Sequence, residues 1–173
     1  MTNLLSFILA ALMPLCSTIA PMEPVEPLPQ GIAYIETEPL YGDEEITALA
    51  KLIYGEARGI KSDTEKAAVV WTVLNRYDAG YGDSIMDVLT APNQFYYRSS
   101  FPATDELKVL AADVLSRWAR EQNGETDVGR VLPSDYLWYR GDGRRNYFRD
   151  AYKGGNVWDW SLKSPYESER GKL

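Results

Sequence analysis

Apolar side chains recur at helical spacing between residues 44 and 122, and helix-ending residues divide this stretch into four segments. Each segment begins after a residue that can cap a helix and ends near glycine, asparagine or proline. The pattern therefore predicts four helices packed around one core. Their predicted bounds are about 44–58 after Asp43, from the capping-box pattern Ser62–Glu65 to Gly80, 84–90 before Pro92, and from Thr104 or Asp105 to Asn123.

The helical spacing stops at Pro133, and short aromatic stretches follow. Residues 136–140 and 146–148 flank a glycine-rich turn and are typical of two short strands. Helices followed by a hairpin predict a mainly α (α+β) fold with a small C-terminal β-hairpin. The 173 residues suffice for one modest domain.

The first 42 residues differ from the rest of the chain. Residues 2–20 are almost wholly apolar, and residues 21–42 carry five prolines and repeated glutamates. We expect residues 1–20 to be an export signal peptide or, because the run is near bilayer length, an uncleaved membrane anchor. Residues 21–42 are typical of an extended linker, so the folded domain is expected over 43–173.

Histidine is absent, and the single cysteine, Cys16, lies in the apolar leader. Ser-His-Asp and Cys-His catalysis cannot be built in the usual way, and the usual His-ligated zinc sites are excluded as well. Nothing in the sequence indicates a metal or another cofactor. Hydrolytic or lytic chemistry in this chain would therefore depend mostly on carboxylates.

The net charge of −7 is unevenly distributed. It comes from the seven acids that precede Lys51, because 18 acids and 18 bases follow from that residue onward. The residues from Lys51 onward are neutral overall, and those before it are acidic. The sequence therefore offers no basic stripe that would bind phosphates. Nucleic acid is therefore not an expected partner.

Glu56 has the most informative position among the acids. On a helical wheel it falls at the edge of the apolar stripe that Ile46, Ile53 and Ala57 form, close to the helix C terminus. Desolvation and the negative end of the helix dipole both favour the protonated form of a carboxyl held there. A glycosidic general acid needs that form near neutral pH. Position alone leaves a structural alternative, in which Glu56 pairs with a base such as Arg58.

Three motifs follow one another around and after this acid: YGEARG at 54–59, AAVVWTVLNR at 67–76 and PNQF at 92–95. Together they resemble the cell-wall hydrolases of the spore cortex-lytic (SleB-type) family, over roughly residues 46–150. The resemblance implies a lysozyme-like fold and lytic cleavage between N-acetylmuramic acid (MurNAc) and N-acetylglucosamine (GlcNAc), which leaves a 1,6-anhydro sugar. It also implies that Glu56 is the single catalytic acid/base.

The same resemblance makes Asn75, Gln94 and Phe95 candidate substrate-binding residues. For Asn75 the alternative is a structural role at a helix end, and for the loop residues it is ordinary packing. Aromatic faces beside an amide suit sugar binding, which adds Tyr96 to the candidates. Tyr139 and Tyr147 on the predicted strands are further candidates for the wall of a cleft, although aromatic strand residues more often belong to the core.

The sequence thus predicts an exported peptidoglycan-cleaving glycosidase, a lytic transglycosylase by the resemblance, that acts on glycan strands. The open alternatives are a hydrolytic muramidase with a second carboxylate and a non-catalytic peptidoglycan-binding protein. Asp63, Glu65 and Asp87 are candidates for the second carboxylate, with capping, helix starts or solvated faces as their structural explanation.

Overall fold

A computed structural model describes residues 41–166, which belong to one compact unit, Glu38–Leu173. The predicted leader (1–20) and nearly all of the predicted linker (21–42) lie outside the described residues. Within 41–166 the chain forms helices and one two-stranded antiparallel sheet, which confirms the mainly α class with a small C-terminal hairpin. The elements are α1 (Asp43–Ala57), α2 (Asp63–Asp78), α3 (Ile85–Thr90), α4 (Asp105–Gln122), β1 (Trp138–Gly141) and β2 (Asn146–Arg149).

Helices α1 and α2 form the centre of the domain, because each contacts the other three helices. Leu49, Leu52 and Ile53 of α1 are fully buried in the core. Ala48 lies outside the predicted apolar stripe of α1 but is only 3% exposed, since three neighbouring helices cover more of α1 than one apolar stripe accounts for. No helix within residues 41–166 has the length and apolarity needed to cross a bilayer.

The helix starts differ from prediction in two details. The residue that caps α1 is Gly42 rather than Asp43, and its N–H donates to the Glu45 carboxylate at 2.8 Å. Ser62 caps α2 as predicted, since its hydroxyl accepts the Glu65 N–H at 3.3 Å. The Glu65 side chain does not complete the capping box. It reaches the hairpin instead, because a buried main-chain N–H there needs an acceptor.

The hairpin pairs Trp138 with Arg149 and Gly141 with Asn146. Phe148 is its buried anchor, at 1% exposure. The chain after β2 folds back over the hairpin, and the Trp158 N–H donates to the Phe148 carbonyl at 2.9 Å. The aromatic segment after β2, residues 150–166, is therefore part of the fold. It lies beside the end of α1 and the start of α2.

Candidate active site

Glu56 is half-buried in the last turn of α1, directly after the fully buried Leu52 and Ile53. It lines a cavity of about 430 Å³ between the end of α1 and the hairpin. Glu56 is the one carboxylate among the described residues that line this cavity. Those residues are Gly55, Glu56, Arg58, Gly59, Ile60, Gly141, Gly143, Arg145 and Asn146.

The loop between α3 and α4 orients Glu56. The main-chain N–H of Tyr96 donates to Oε1 of Glu56, which leaves the other carboxyl oxygen for a substrate. The loop comes this close only because residue 55 is glycine. A Cβ added at Gly55 would lie 2.0 Å from the Tyr96 carbonyl oxygen and 2.9 Å from Cε2 of Phe101. The adjacent Gly55 and Glu56 therefore have linked roles: one admits the loop, and the other accepts its N–H.

Tyr139 lies beside Glu56 on β1. Burial, and next the charge of Glu56, raise the pKa of Tyr139 well above its ordinary value, so the phenol stays neutral. The hydroxyl is buried beside the Glu56 carboxyl, although no hydrogen bond of ordinary geometry joins it to any of the described residues. A neutral O–H in this position can donate to the Glu56 carboxylate or to a substrate oxygen.

Arg76 on α2 contacts the loop between α3 and α4 and the segment before β1. Its guanidinium donates to the Leu137 carbonyl at 2.6 Å and to Oε1 of Gln94 at 2.8 Å. It also lies over the Phe95 ring, 4.7 Å from the centroid. Burial lowers the pKa of Arg76, against the raising effects of Tyr139, Tyr81 and Glu56.

The candidate loop residues lie close to the site but have different roles. Gln94 is exposed and lines a neighbouring cavity. Phe95 is half-buried against the Tyr139 ring, with centroids 6.3 Å apart. Tyr96 contributes its main chain to Glu56, and its ring is 47% exposed.

The contacts of Asn75 match the structural role that was left open for it. Its side chain is buried, at 1% exposure, and lines none of the cavities around Glu56. The amide donates to the carbonyls of Pro133 and Tyr136 at 2.8 and 3.1 Å, and its oxygen accepts from Arg130 at 2.6 Å. A substrate-binding role of Asn75 stays a prediction, and these contacts favour the structural alternative, because each polar atom of the side chain bonds to the segment before β1.

A second cavity, of about 720 Å³, adjoins the Glu56 cavity and shares part of its wall, including Gly59 and Asn146. Tyr147 and Trp160 present half-exposed rings to it. The Tyr147 hydroxyl donates to Asp142 at 3.0 Å. Trp160 has a φ of +60°, in the left-handed region that non-glycine residues rarely adopt. Flat aromatic faces of this kind suit the apolar faces of sugar rings.

Two further polar residues line this second cavity: Glu65, which the sequence offered only as a second carboxylate of the hydrolytic alternative, and Asn146, which was not predicted as a site residue. Glu65 accepts the Asn146 N–H, and burial raises its pKa, although that hydrogen bond and Arg145 oppose the shift. Asn146 is 6% exposed, and its Nδ2 has no hydrogen-bond partner within residues 41–166. The sequence pattern at Glu65 is a capping pattern. It predicted the hydrogen bond of the Glu65 main-chain N–H but not the partner of the side chain.

No group of three or more histidine, cysteine or acidic side chains that could hold a metal ion occurs in the described range. Comparison with known proteins adds no assignment: no protein-family model, curated protein or solved structure matches this chain.

Proposed function

We propose that this protein is a peptidoglycan-cleaving enzyme of lysozyme-like, SleB-type character, and specifically a lytic transglycosylase with Glu56 as its single acid/base. The observation that carries the proposal is the isolation of Glu56. It is the one carboxylate among the described residues that line its cavity, and a main-chain N–H orients it. The sequence motifs around Glu56 add the resemblance already described.

In the proposed reaction, protonated Glu56 donates its proton to the glycosidic oxygen, and the bond from that oxygen to C1 of MurNAc breaks. The Glu56 carboxylate then takes the proton of the C6 hydroxyl, while O6 bonds to C1. The products are a 1,6-anhydro-MurNAc end and a GlcNAc end with a free hydroxyl, and no water is consumed. The Tyr139 O–H beside this carboxyl would donate to the Glu56 carboxylate or to a substrate oxygen during the reaction.

The adjoining cavity would hold the neighbouring sugars. Trp160 and Tyr147 offer aromatic faces, and the unpartnered Nδ2 of Asn146 is a donor suited to an acetamido carbonyl. We further propose that the protein is exported by way of residues 2–20 and acts on the cell wall.

Substitution of Glu56 by glutamine tests the assignment. Glu56→Gln keeps the shape of the side chain and removes its proton, so clearing of purified peptidoglycan should slow by about 10²–10⁴-fold. Glu106→Gln is the matched control, because Glu106 lies on α4 with a side chain that is 80% exposed. If Glu56→Gln clears peptidoglycan as fast as the parent, Glu56 is not catalytic and a non-catalytic wall-binding role is favoured.

A hydrolytic muramidase is the second candidate, because Glu65 is a second carboxyl in the wall of the adjoining cavity. Mass spectrometry separates the two reactions. The lytic route yields anhydro ends that are one water lighter than the reducing ends of hydrolysis. Exclusively reducing MurNAc ends, together with a loss of activity in Glu65→Gln, would establish the hydrolytic route instead.

A further inference from the structure

A third cavity, of about 870 Å³, is lined by Tyr139 and its neighbours on β1, Trp138 and Arg140. Four basic residues line it, and none of the described residues in its wall is a carboxylate. The basic residues are Arg76 on α2, Arg140 on β1, Arg149 on β2 and Lys153 in the following turn. In a body with balanced charge, this concentration of positive charge is a local feature of the fold.

None of these four cations forms a close ion pair within residues 41–166, although the charge of Glu56 is near enough to Arg76 to raise its pKa. The ion pairs within residues 41–166 involve other bases, namely Lys66, Arg117, Arg120 and Arg130. Arg149 donates to the Gly154 carbonyl at 3.1 Å, which leaves its charge in place. The cavity therefore keeps a positive potential that an anionic ligand would reduce.

Arg76 makes the strongest case. The residue is only 5% exposed, and its polar partners are the uncharged oxygens of Leu137 and Gln94. A buried charge is normally paired, because removing it from water is costly. An unpaired guanidinium in the wall of a cavity, beside three more cations, indicates that the partner charge arrives with a ligand.

The position of the cavity indicates which anion this is. Tyr139 lines the cavity and also neighbours Glu56, so the cavity lies next to the proposed cleavage point. Each MurNAc of peptidoglycan carries a peptide stem on its lactyl group, and that stem bears carboxylates. We propose that the Arg76–Arg140–Arg149–Lys153 cavity binds the carboxylates of the peptide stem; this inference rests on the proposed function.

The test compares two soluble glycan strands, one that keeps its peptide stems and one from which an amidase has removed them. KM for each strand is measured for the parent, for Arg140→Gln/Lys153→Gln and for Lys108→Gln/Lys163→Gln. The last variant is the matched control, because it removes the same charge from positions that line none of the cavities described. We expect a KM about tenfold lower for the parent on stem-bearing strands than on bare ones.

In the Arg140→Gln/Lys153→Gln variant that tenfold ratio should fall towards one, and the control should keep it. Added salt should also reduce the ratio, because exposed charges are screened. An equal KM for the two strands in the parent, or an unchanged ratio in the cavity variant, overturns the stem-binding inference and leaves the cleavage proposal standing. If the parent cleaves neither strand, the proposed function fails, and calorimetric binding of the two strands still decides whether the cavity prefers stems.

Discussion

Charged and polar side chains are paired differently on two sides of the helical core. One is the side of α4 and the segment that follows it, and the other is the side of the β1–β2 hairpin. On the α4 side, Arg117 pairs with Asp113 at 2.8 Å and Arg130 with Glu121 at 2.6 Å. The hairpin side holds the unpaired Arg76, together with two of the three buried side-chain polar atoms that lack a partner within residues 41–166. Those two atoms are the Tyr139 hydroxyl and Nδ2 of Asn146.

This contrast separates groups that stabilise the fold from groups available to a ligand. An unsatisfied buried polar atom costs free energy in the unbound protein, and backbone strain such as that at Trp160 adds to the cost. Such costs lie on the hairpin side, and we therefore expect the proposed site there. The predictions below test the two sides against each other.

Gly55→Ala should have the largest effect. The added methyl group would meet the Tyr96 carbonyl oxygen at 2.0 Å and displace the loop whose N–H orients Glu56. We expect the rate of peptidoglycan clearing to fall about 100-fold, because small misplacements of catalytic groups have effects of that size. The control is Gly42→Ala at the start of α1, whose added Cβ would meet only Oε2 of Glu45 at an ordinary 3.5 Å and which lines none of the cavities described. Equal clearing rates for the two variants would contradict the role of Gly55.

Asn75→Ala should lower the free energy of unfolding by about 2 kcal/mol, because it removes a donor to the carbonyls of Pro133 and Tyr136 and an acceptor for Arg130, which keeps its ion pair with Glu121. Urea unfolding followed by circular dichroism measures this change. Activity per folded molecule should remain, since Asn75 lines none of the cavities around Glu56. A stable but inactive Asn75→Ala protein would favour the substrate-binding role of Asn75.

Asn146→Leu is the counterpart on the hairpin side. Because Nδ2 of Asn146 has no partner to lose, the free energy of unfolding should change by less than about 1 kcal/mol. The KM for glycan strands should nevertheless rise, as the donor proposed for the acetamido group is gone. A large loss of stability with unchanged KM would show that Asn146 belongs to the structural side of the comparison.

The smallest expected effect is a pH dependence of the free energy of unfolding, which comes from Glu65. Burial raises the pKa of Glu65 above its ordinary value of 4.5, so the folded state binds this proton more tightly than the unfolded state. The resulting stabilisation is fully present below pH 4.5 and is lost as the pH rises through the folded-state pKa. Relative to Glu65→Gln, the parent should therefore lose unfolding free energy between acidic and neutral pH. Urea unfolding at several pH values checks this, with Glu106→Gln as the exposed control; a difference that stays constant with pH would refute it.

Local patterns in the sequence determined much of this protein. Apolar spacing and capping residues predicted the helices to within a few residues, and Ser62, Ser84 and Thr104 cap α2, α3 and α4 through their side chains. Turn glycines and aromatic residues predicted the hairpin. These features depend on interactions between residues close in sequence, which the order of amino acids records directly.

Only the tertiary structure decided which partner each polar side chain contacts. Asn75 and Asn146 are the same residue type, yet the amide of one is fully bonded and the other has an unpartnered Nδ2. Arg76 and Arg140 come from a helix and a strand far apart in sequence, and only folding brings their charges to one cavity. The physical reason is that burial and pairing depend on distant segments, so a local pattern such as the capping motif at Glu65 predicts the main chain but not the partner of the side chain.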